Sequence, residues 1–440
     1  MNKLTAVDNK TIGSTIIPLL TFLLAIFVSM SASGQEYIKE APNIADRPTI
    51  VKEVSINKWM ICYRDYFSAF FYVSDTTPLL HSMDFLNYNI TINDFEIINN
   101  WVYFCGESTD TSDKYALVGK FQIATFPSSI VYFYRIDSLK SLTKIEVQYG
   151  GMATTNVYMI GKGRDEKCYF VSASLAGFGS PGSFFFSEAS DNHVDVLDDI
   201  AYTDKYIVVT GRNTASRHGY LYYFYLPAMV GGGFSPNAQY GDIGYYVDNP
   251  ILIKHCEKDY VVTVSSDDFY HIISAFDSTC FKYIITVDRD NSALERDVEY
   301  NYQSRELDLL VGNPPDMQQE CFSYIYHFNT SNSMTSVAPF NVHDYTGENI
   351  HSIENTSEVF PQCNRFIATG GGCAYNPLRW YRYNSHQWKG CAEKKTKVTC
   401  MSKNIFFPTT YKYVRKKISI VPTEIEKRIR HFGYYTICPE

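Results

Sequence analysis

Local signatures of chemistry are scarce in this sequence. It has no G-x-x-x-x-G-K-[ST] phosphate loop, no H-E-x-x-H pair and no G-x-S-x-G nucleophile turn. Enzyme classes that depend on those short motifs are therefore excluded, while triads assembled from distant residues are not. No C-x-x-C or H-x-x-x-H spacing accompanies the 11 cysteines, which argues against a zinc site. Positive charge is not in excess either: 39 Lys and Arg stand against 47 Asp and Glu, a net charge of −8. A nucleic-acid backbone binder needs a basic stripe to release counterions, so nucleic acid is not an expected partner. Beyond Met30 no apolar run is long enough to span a bilayer, and membrane association is expected only through a partner.

What is there begins with an export signature. Lys3 and Lys10 precede an apolar stretch from Ile16 to Met30, followed by the small residues Ser31-Ala32-Ser33-Gly34. At 15 residues the stretch is short for a spanning helix, and residues 1–34 read as a signal peptide. The protein is expected to be secreted, periplasmic or on a cell surface, where disulfides form. Cys62, Cys105, Cys168, Cys256, Cys280 and Cys321 are scattered, several within apolar strand-like runs where a cysteine is a small hydrophobe. Cys363, Cys373, Cys391, Cys400 and Cys438 crowd the C-terminal part, with Cys391 to Cys400 the favoured local disulfide.

Internal repetition says most about architecture. Asp94-Phe95-Glu96-Ile97-Ile98-Asn99-Asn100-Trp101-Val102-Tyr103-Phe104-Cys105-Gly106 aligns without a gap on the thirteen residues from Asp199 to Gly211. The shared grammar is a short strand, a polar turn doublet, an aromatic, a β-branched run and a glycine. Fainter copies bring the total to seven, marked at Tyr63, Cys105, Ile160, Thr210, Val264, Val311 and Thr369, about 51 residues apart on average. That period suits four-stranded propeller blades better than helical solenoids. Only Thr423 to Arg430 reads as a possible short helix.

A four-stranded unit has two apolar faces that it cannot bury alone, and stacking units in a ring buries both. The 36 Tyr and 29 Phe then serve as packing between units. The expected fold is an all-β, seven-bladed β-propeller, the alternative being six blades plus a small cysteine-rich C-terminal module. Residues 35–48 read as a linker, 49–390 as the repeats and 391–440 as a closing segment. Closure is expected between Thr49 to Ile56 and a C-terminal strand near Lys417 to Val421. The Gly-punctuated aromatic repeats from Thr49 to Trp388 resemble secreted bacterial β-propellers, broadly kelch-like or NHL-like. The resemblance implies a fold and brings no catalytic residues with it.

Candidate sites follow from loops and charge. Asp288, Asp290 and Ser292 with Glu299 offer oxygens at calcium-loop spacing, although Ala293 stands where the sharp turn wants glycine; no other cofactor is expected. The competing reading is a solvated turn. Gly177-Phe178-Gly179-Ser180-Pro181-Gly182 satisfies G-x-G-x-x-G but reads as a loop before a strand, not a nucleotide site. Asp198 and Asp199 read as turn and strand-start residues. Tyr375, Trp380, Tyr381, Tyr383, His386 and Trp388 form an aromatic cluster suited to stacking on a sugar or anchoring a protein, unless Leu378 to Tyr383 is merely an outer strand.

Two functions remain. The first is an exported, non-enzymatic binding or scaffold protein recognising a glycan or protein ligand through propeller loops. The second is an exported glycan-active lyase or hydrolase working at the central channel, with His193, His218, His255 and His271 as candidates. Convergent titratable groups with perturbed pKa values in the channel would favour the enzyme.

Overall fold

The computed structural model describes residues 37–45, 49–55, 58–63, 69–74, 79–85, 90–108, 113–147, 156–174, 184–188, 194–225, 237–247, 249–256, 260–276, 281–289, 293–302, 305–312, 323–329, 341–344, 348–355, 365–372, 377–384, 398–401, 409–412, 414–418 and 420–438. Among these residues the chain is all-β: seven small antiparallel sheets, one 3-10 turn at Ile123–Thr125 and no α-helix.

Each sheet begins as a meander in which consecutive strands are neighbours. Sheet 1 comprises Thr49–Ser55, Lys58–Tyr63, Ala69–Ser74 and Leu79–Phe85; sheet 2, Ile90–Ile98, Trp101–Ser108, Ala116–Gln122 and Val131–Ile136. Sheet 3 comprises Leu139–Val147, Asn156–Gly163, Cys168–Ser174 and Phe184–Glu188; sheet 4, Val196–Tyr202, Tyr206–Asn213, His218–Tyr225 and Asn237–Tyr246. Sheet 5 comprises Leu252–His255, Val261–Ser266, Tyr270–Phe276 and Phe281–Asp288; sheet 6, Leu294–Asn301, Glu306–Gly312, Ser323–Asn329 and Asn341–Asp344. Sheet 7 comprises Glu348–Asn355, Arg365–Gly372 and Pro377–Asn384, and its fourth strand is Tyr37–Ala45 from the other end of the chain. The first strands of successive sheets touch one another in order, and that of sheet 7 touches that of sheet 1. The arrangement is propeller-like.

Packing explains the apolar and aromatic content. Second strands such as Val261–Ser266 and Glu306–Gly312 are buried along their whole length, because both of their faces meet other side chains. Between sheets 1 and 2 the Phe70 ring lies 4.9 to 6.1 Å from those of Phe85, Phe95, Phe104 and Phe121, in edge-to-face and tilted contacts that suit aromatic quadrupoles. Cys62, Cys105, Cys168 and Cys256 are buried within these layers outside any disulfide, small hydrophobes as expected. Cys400 lies on a strand opposite Ile285, and its expected partner Cys391 falls outside the described residues.

Three expectations need correction. Ring closure does not involve Thr49 to Ile56 and Lys417 to Val421. The segment read as a linker instead supplies Tyr37–Ala45, which pairs with Pro377–Asn384 on one side and Tyr435–Cys438 on the other. Thr423 to Arg430 is not helical, since Val421–Thr423 and Lys427–Gly433 are strands. The closing segment is also no separate module, because its strands each join an existing sheet. Val398–Met401 pairs with Phe281–Asp288, Thr409–Lys412 with Asn237–Tyr246 and Val414–Ile418 with Phe184–Glu188. Val421–Thr423 then pairs with Val131–Ile136, Lys427–Gly433 with Leu79–Phe85, and Tyr435–Cys438 with Tyr37–Ala45. The tail thus visits sheets 5, 4, 3, 2, 1 and 7 in turn, giving each a fifth strand over an edge that would otherwise present unpaired backbone groups.

The repeat glycine has a steric cause. In sheets 2, 3 and 4 the first strand bulges at Asn93, Thr143 and Asp198, directly beside the residue opposite Gly106, Gly161 or Gly211. A Cβ on Gly106 would collide with the Thr91 carbonyl oxygen, and one on Gly161 with that of Ser141. Gly161→Ala should therefore cost about 1–3 kcal/mol in denaturant unfolding, as overpacking typically does. Gly433→Ala is the control, expected to change little because nothing lies within 4 Å of a Cβ there.

Candidate functional site

The seven first strands line a common cavity of about 550 Å³. Strand register defines equivalent positions around it. Asp94, Lys144, Asp199, Leu252 and Ser352 lie opposite the repeat markers Cys105, Ile160, Thr210, Val264 and Thr369. In sheets 1 and 6 the markers shift by one residue, to Cys62 opposite Ile50 and Leu310 opposite Asp297. Two residues further along each strand comes a second tier: Lys52, Glu96, Glu146, Ala201, Lys254, Glu299 and Glu354. Alternation along a strand places residues i and i+2 on one face, so both tiers look the same way.

The first tier joins neighbouring sheets. The Ile145 N–H donates to Asp94 Oδ2 at 3.1 Å, the Ile253 N–H to Asp199 Oδ2 at 3.0 Å, and the Ile353 N–H to Asp297 Oδ2 at 3.0 Å. In each case a carboxylate on one first strand accepts from the backbone of the next. Ser352 continues the pattern, donating its hydroxyl to Asp297 at 2.7 Å and accepting from the Val51 N–H at 3.4 Å, which links sheets 6, 7 and 1. Asp198, at the bulge, holds Arg212 and accepts from the Ile251 N–H at 3.1 Å. Both members of the Asp198 and Asp199 pair thus join neighbouring sheets, and they do so from inside the strand Val196–Tyr202, not from a turn and a strand start.

The second tier carries charge. Lys52 Nζ lies 2.8 Å from Glu96 Oε1, and Lys254 Nζ lies 2.6 Å from Glu299 Oε1. Across the whole cavity eight carboxylates (Glu53, Asp94, Glu96, Glu146, Asp199, Asp297, Glu299 and Glu354) face four cations (Lys52, Lys144, Lys254 and Arg296). Burial, aided by neighbouring carboxylates, pushes Glu146, Asp199, Glu299 and Glu354 toward their protonated forms. Burial is the largest influence on Glu354, aided by Glu299 and opposed by Lys52 and Lys254, and raises its pKa to about 8. Glu146 and Glu299 are raised chiefly by burial as well. Burial opposes the Lys52 ammonium, but the carboxylates of Glu96, Glu354 and Glu299 outweigh it and hold its pKa well above the usual lysine value. Along sheets 5 and 6 the cavity wall continues to His255 and Tyr302, whose Nδ1 and hydroxyl are 3.0 Å apart.

The sequence-derived candidates do not assemble into one site. Tyr375, His386 and Trp388 lie outside the described residues, as do Asp290 and Ser292. Trp380, Tyr381 and Tyr383 sit on the third strand of sheet 7, between two paired strands, instead of on an outer one. Asp288 ends a strand of sheet 5, whereas Glu299 belongs to the cavity with Lys254. His193 is not described, His218 starts the third strand of sheet 4, and His271 is buried against Glu295 between sheets 5 and 6. Of the three described candidates, His218, His255 and His271, only His255 lines the cavity. Among the described residues no group of three or more His, Cys, Asp or Glu is arranged to hold a metal ion.

No family model matches the chain, and no curated protein matches it. Among solved structures it is similar to a PL25 polysaccharide lyase, an ulvan lyase bound to -[GlcA(1-4)Rha3S]-, with a TM-score of 0.43 and 7% identity, covering 80% of this chain and 96% of that one. It is also similar to Sqt1 from Chaetomium thermophilum, with a TM-score of 0.36 and 10% identity over 66% of this chain and 83% of that one.

The raised Glu354 pKa has a thermodynamic consequence. A carboxyl whose folded pKa exceeds its unfolded value contributes stability that is complete below the unfolded value and disappears as pH rises through the folded one. Wild-type stability should fall between about pH 4.5 and pH 8, the ordinary and folded values for Glu354. Glu354→Gln should flatten that decline, by up to about 5 kcal/mol across the window. Denaturant midpoints across this pH range, compared for the two proteins, give the measurement.

Proposed function

We propose that this chain is an exported seven-bladed β-propeller that binds a neutral glycan end in its central cavity, the seven sheets being the blades. The observation that carries this reading is the second tier, in which the Lys52 and Lys254 ammonium groups stand beside the carboxylates of Glu96, Glu146, Glu299 and Glu354 in a cavity of about 550 Å³. Sugar hydroxyls both donate and accept, and such a wall offers acceptors and donors side by side. The surplus of carboxylates disfavours a polyanionic ligand. Tyr302, 53% exposed beside His255, adds an aromatic face suited to stacking on a sugar ring. Export follows from the signal-like first 34 residues, and a bacterial cell surface or periplasm is the setting.

A glycan array probed with protein beginning at residue 35 tests this, followed by calorimetry on the glycans retained. Binding to neutral oligosaccharides is expected. Tyr302→Ala and Lys254→Met should each weaken it at least tenfold, and the Tyr302 variant should keep its unfolding midpoint because that side chain is exposed. Undiminished binding in both variants would move the site away from the cavity, to the rim loops.

A second reading, a glycan-active enzyme, is favoured by one observation: Glu354 retains its proton near neutrality and so could supply it to a leaving group. New reducing ends or unsaturated products from retained glycans, abolished by Glu354→Gln, would select it. Intact glycans after prolonged incubation would leave the binding reading.

A further inference from the structure

On the outer side of sheet 1, the tail strand Lys427–Gly433 lies antiparallel to Leu79–Phe85, with His431 directly opposite His81. Their Nδ1 atoms are 2.8 Å apart, the ring centroids 4.9 Å apart and the ring planes at 89°. Directly opposed positions in an antiparallel pair have their Cβ atoms held close by the backbone ladder. The convergence of the two rings is therefore built into the register.

We propose that His81 and His431 chelate a divalent transition-metal ion of the copper(II) or nickel(II) kind, which pins the tail to sheet 1. Imidazole nitrogens bind such ions at roughly 2.0–2.1 Å. Two nitrogens 2.8 Å apart at that bond length subtend about 85–90° at the metal. This is the angle between adjacent ligands of a square-planar or octahedral centre, whereas a tetrahedral centre needs its ligands farther apart. Imidazole is a preferred ligand for copper and nickel, and copper(II) heads the general affinity order. The remaining positions are left for water, since His431 is exposed and His81 half-buried.

Charge around the pair is compatible with a cation. Arg428 and Arg430 bind the buried Asp84, but Arg430, Ser82, Asp84 and Arg428 occupy the alternate positions of the two strands and so project from the opposite face of the sheet. Without metal, the same separation serves a hydrogen bond between neutral rings, one Nδ1 donating and the other accepting. Metal binding frees both Nδ1 lone pairs once the donor ring moves its proton to Nε2, so no net proton need be released.

The experiment uses the full mature chain without a polyhistidine tag, with Ni²⁺ and Cu²⁺ as probes. Ni²⁺ should raise the unfolding midpoint of the wild type, reversibly with a chelator, and slow proteolytic cleavage of the tail severalfold. Bound Cu²⁺ should show nitrogen hyperfine structure in its electron paramagnetic resonance spectrum. His81→Ala and His431→Gln should each weaken Ni²⁺ binding at least tenfold and remove both effects; the second variant is at an exposed position and keeps the test decisive should the first fail to fold. Failure of the wild type to bind either metal would reduce the pair to a hydrogen bond and overturn the proposal. Equal binding by wild type and variants would overturn it too, by placing the metal elsewhere.

Discussion

Both ends of the folded chain are held by the backbone hydrogen bonds of one strand. Tyr37–Ala45 pairs with Pro377–Asn384 along one edge and with Tyr435–Cys438 along the other. Without it, sheet 7 would lose its fourth strand, the last tail strand would have no partner, and the contact between sheets 7 and 1 would lose Ala41 from its core. Each sheet buries its faces only against its neighbours, so the fold is as strong as its closure. Placing residues from opposite ends of the sequence in one ladder makes the closure depend on the whole chain being present.

The cavity is a by-product of the same geometry. Seven short strands that approach one another side by side repeat their positions, so each position forms a tier around the cavity. At four of the seven first-tier positions, Asp94, Asp199, Asp297 and Ser352, the residue is an oxygen acceptor that ties its strand to the backbone of the next. At six of the seven second-tier positions it is a charge, and burial, aided by a neighbouring carboxylate, alters protonation there, as at Glu354. One tier maintains the scaffold and the other gives the cavity its chemical character.

The repeats were legible in the sequence because the first-strand bulge demands glycine opposite it, and glycine punctuates the chain visibly at Gly106, Gly161 and Gly211. Five of seven markers fell in the true register; the two that slipped, in sheets 1 and 6, have no glycine at the position opposite the residue before the bulge or its equivalent. Closure was hidden because Tyr37–Ala45 contains Lys39, Glu40 and Pro42 and reads as a polar linker. Its register breaks between Ala41 and Ala45, and a bulge is where a strand accommodates proline. The tail misled for a related reason: Glu424, Glu426, Lys427 and Arg430 supply helix-like charge pairs, yet an open sheet edge overrides local preference. The charged second tier was invisible since its members are single residues some 50 positions apart, and only register reveals that they meet. Counting two residues beyond the partner of each marker would have found it.

The backward route of the tail bears on how such a chain is made. A ribosome delivers sheet 1 first and the tail last, and domains or their parts begin to organise as they emerge. Six outer edges therefore stay open throughout synthesis, and the tail then covers them beginning with sheet 5 and ending, by way of sheet 1, at the strand from the N-terminal end. Pairings such as His81 with His431 span 350 residues, the kind of contact that forms slowly. The interval between translation of sheet 1 and arrival of residues 427–433 is the period in which that edge is open to pairing with a neighbouring chain, and a nascent polypeptide crossing a membrane unfolded would begin that period only on the far side.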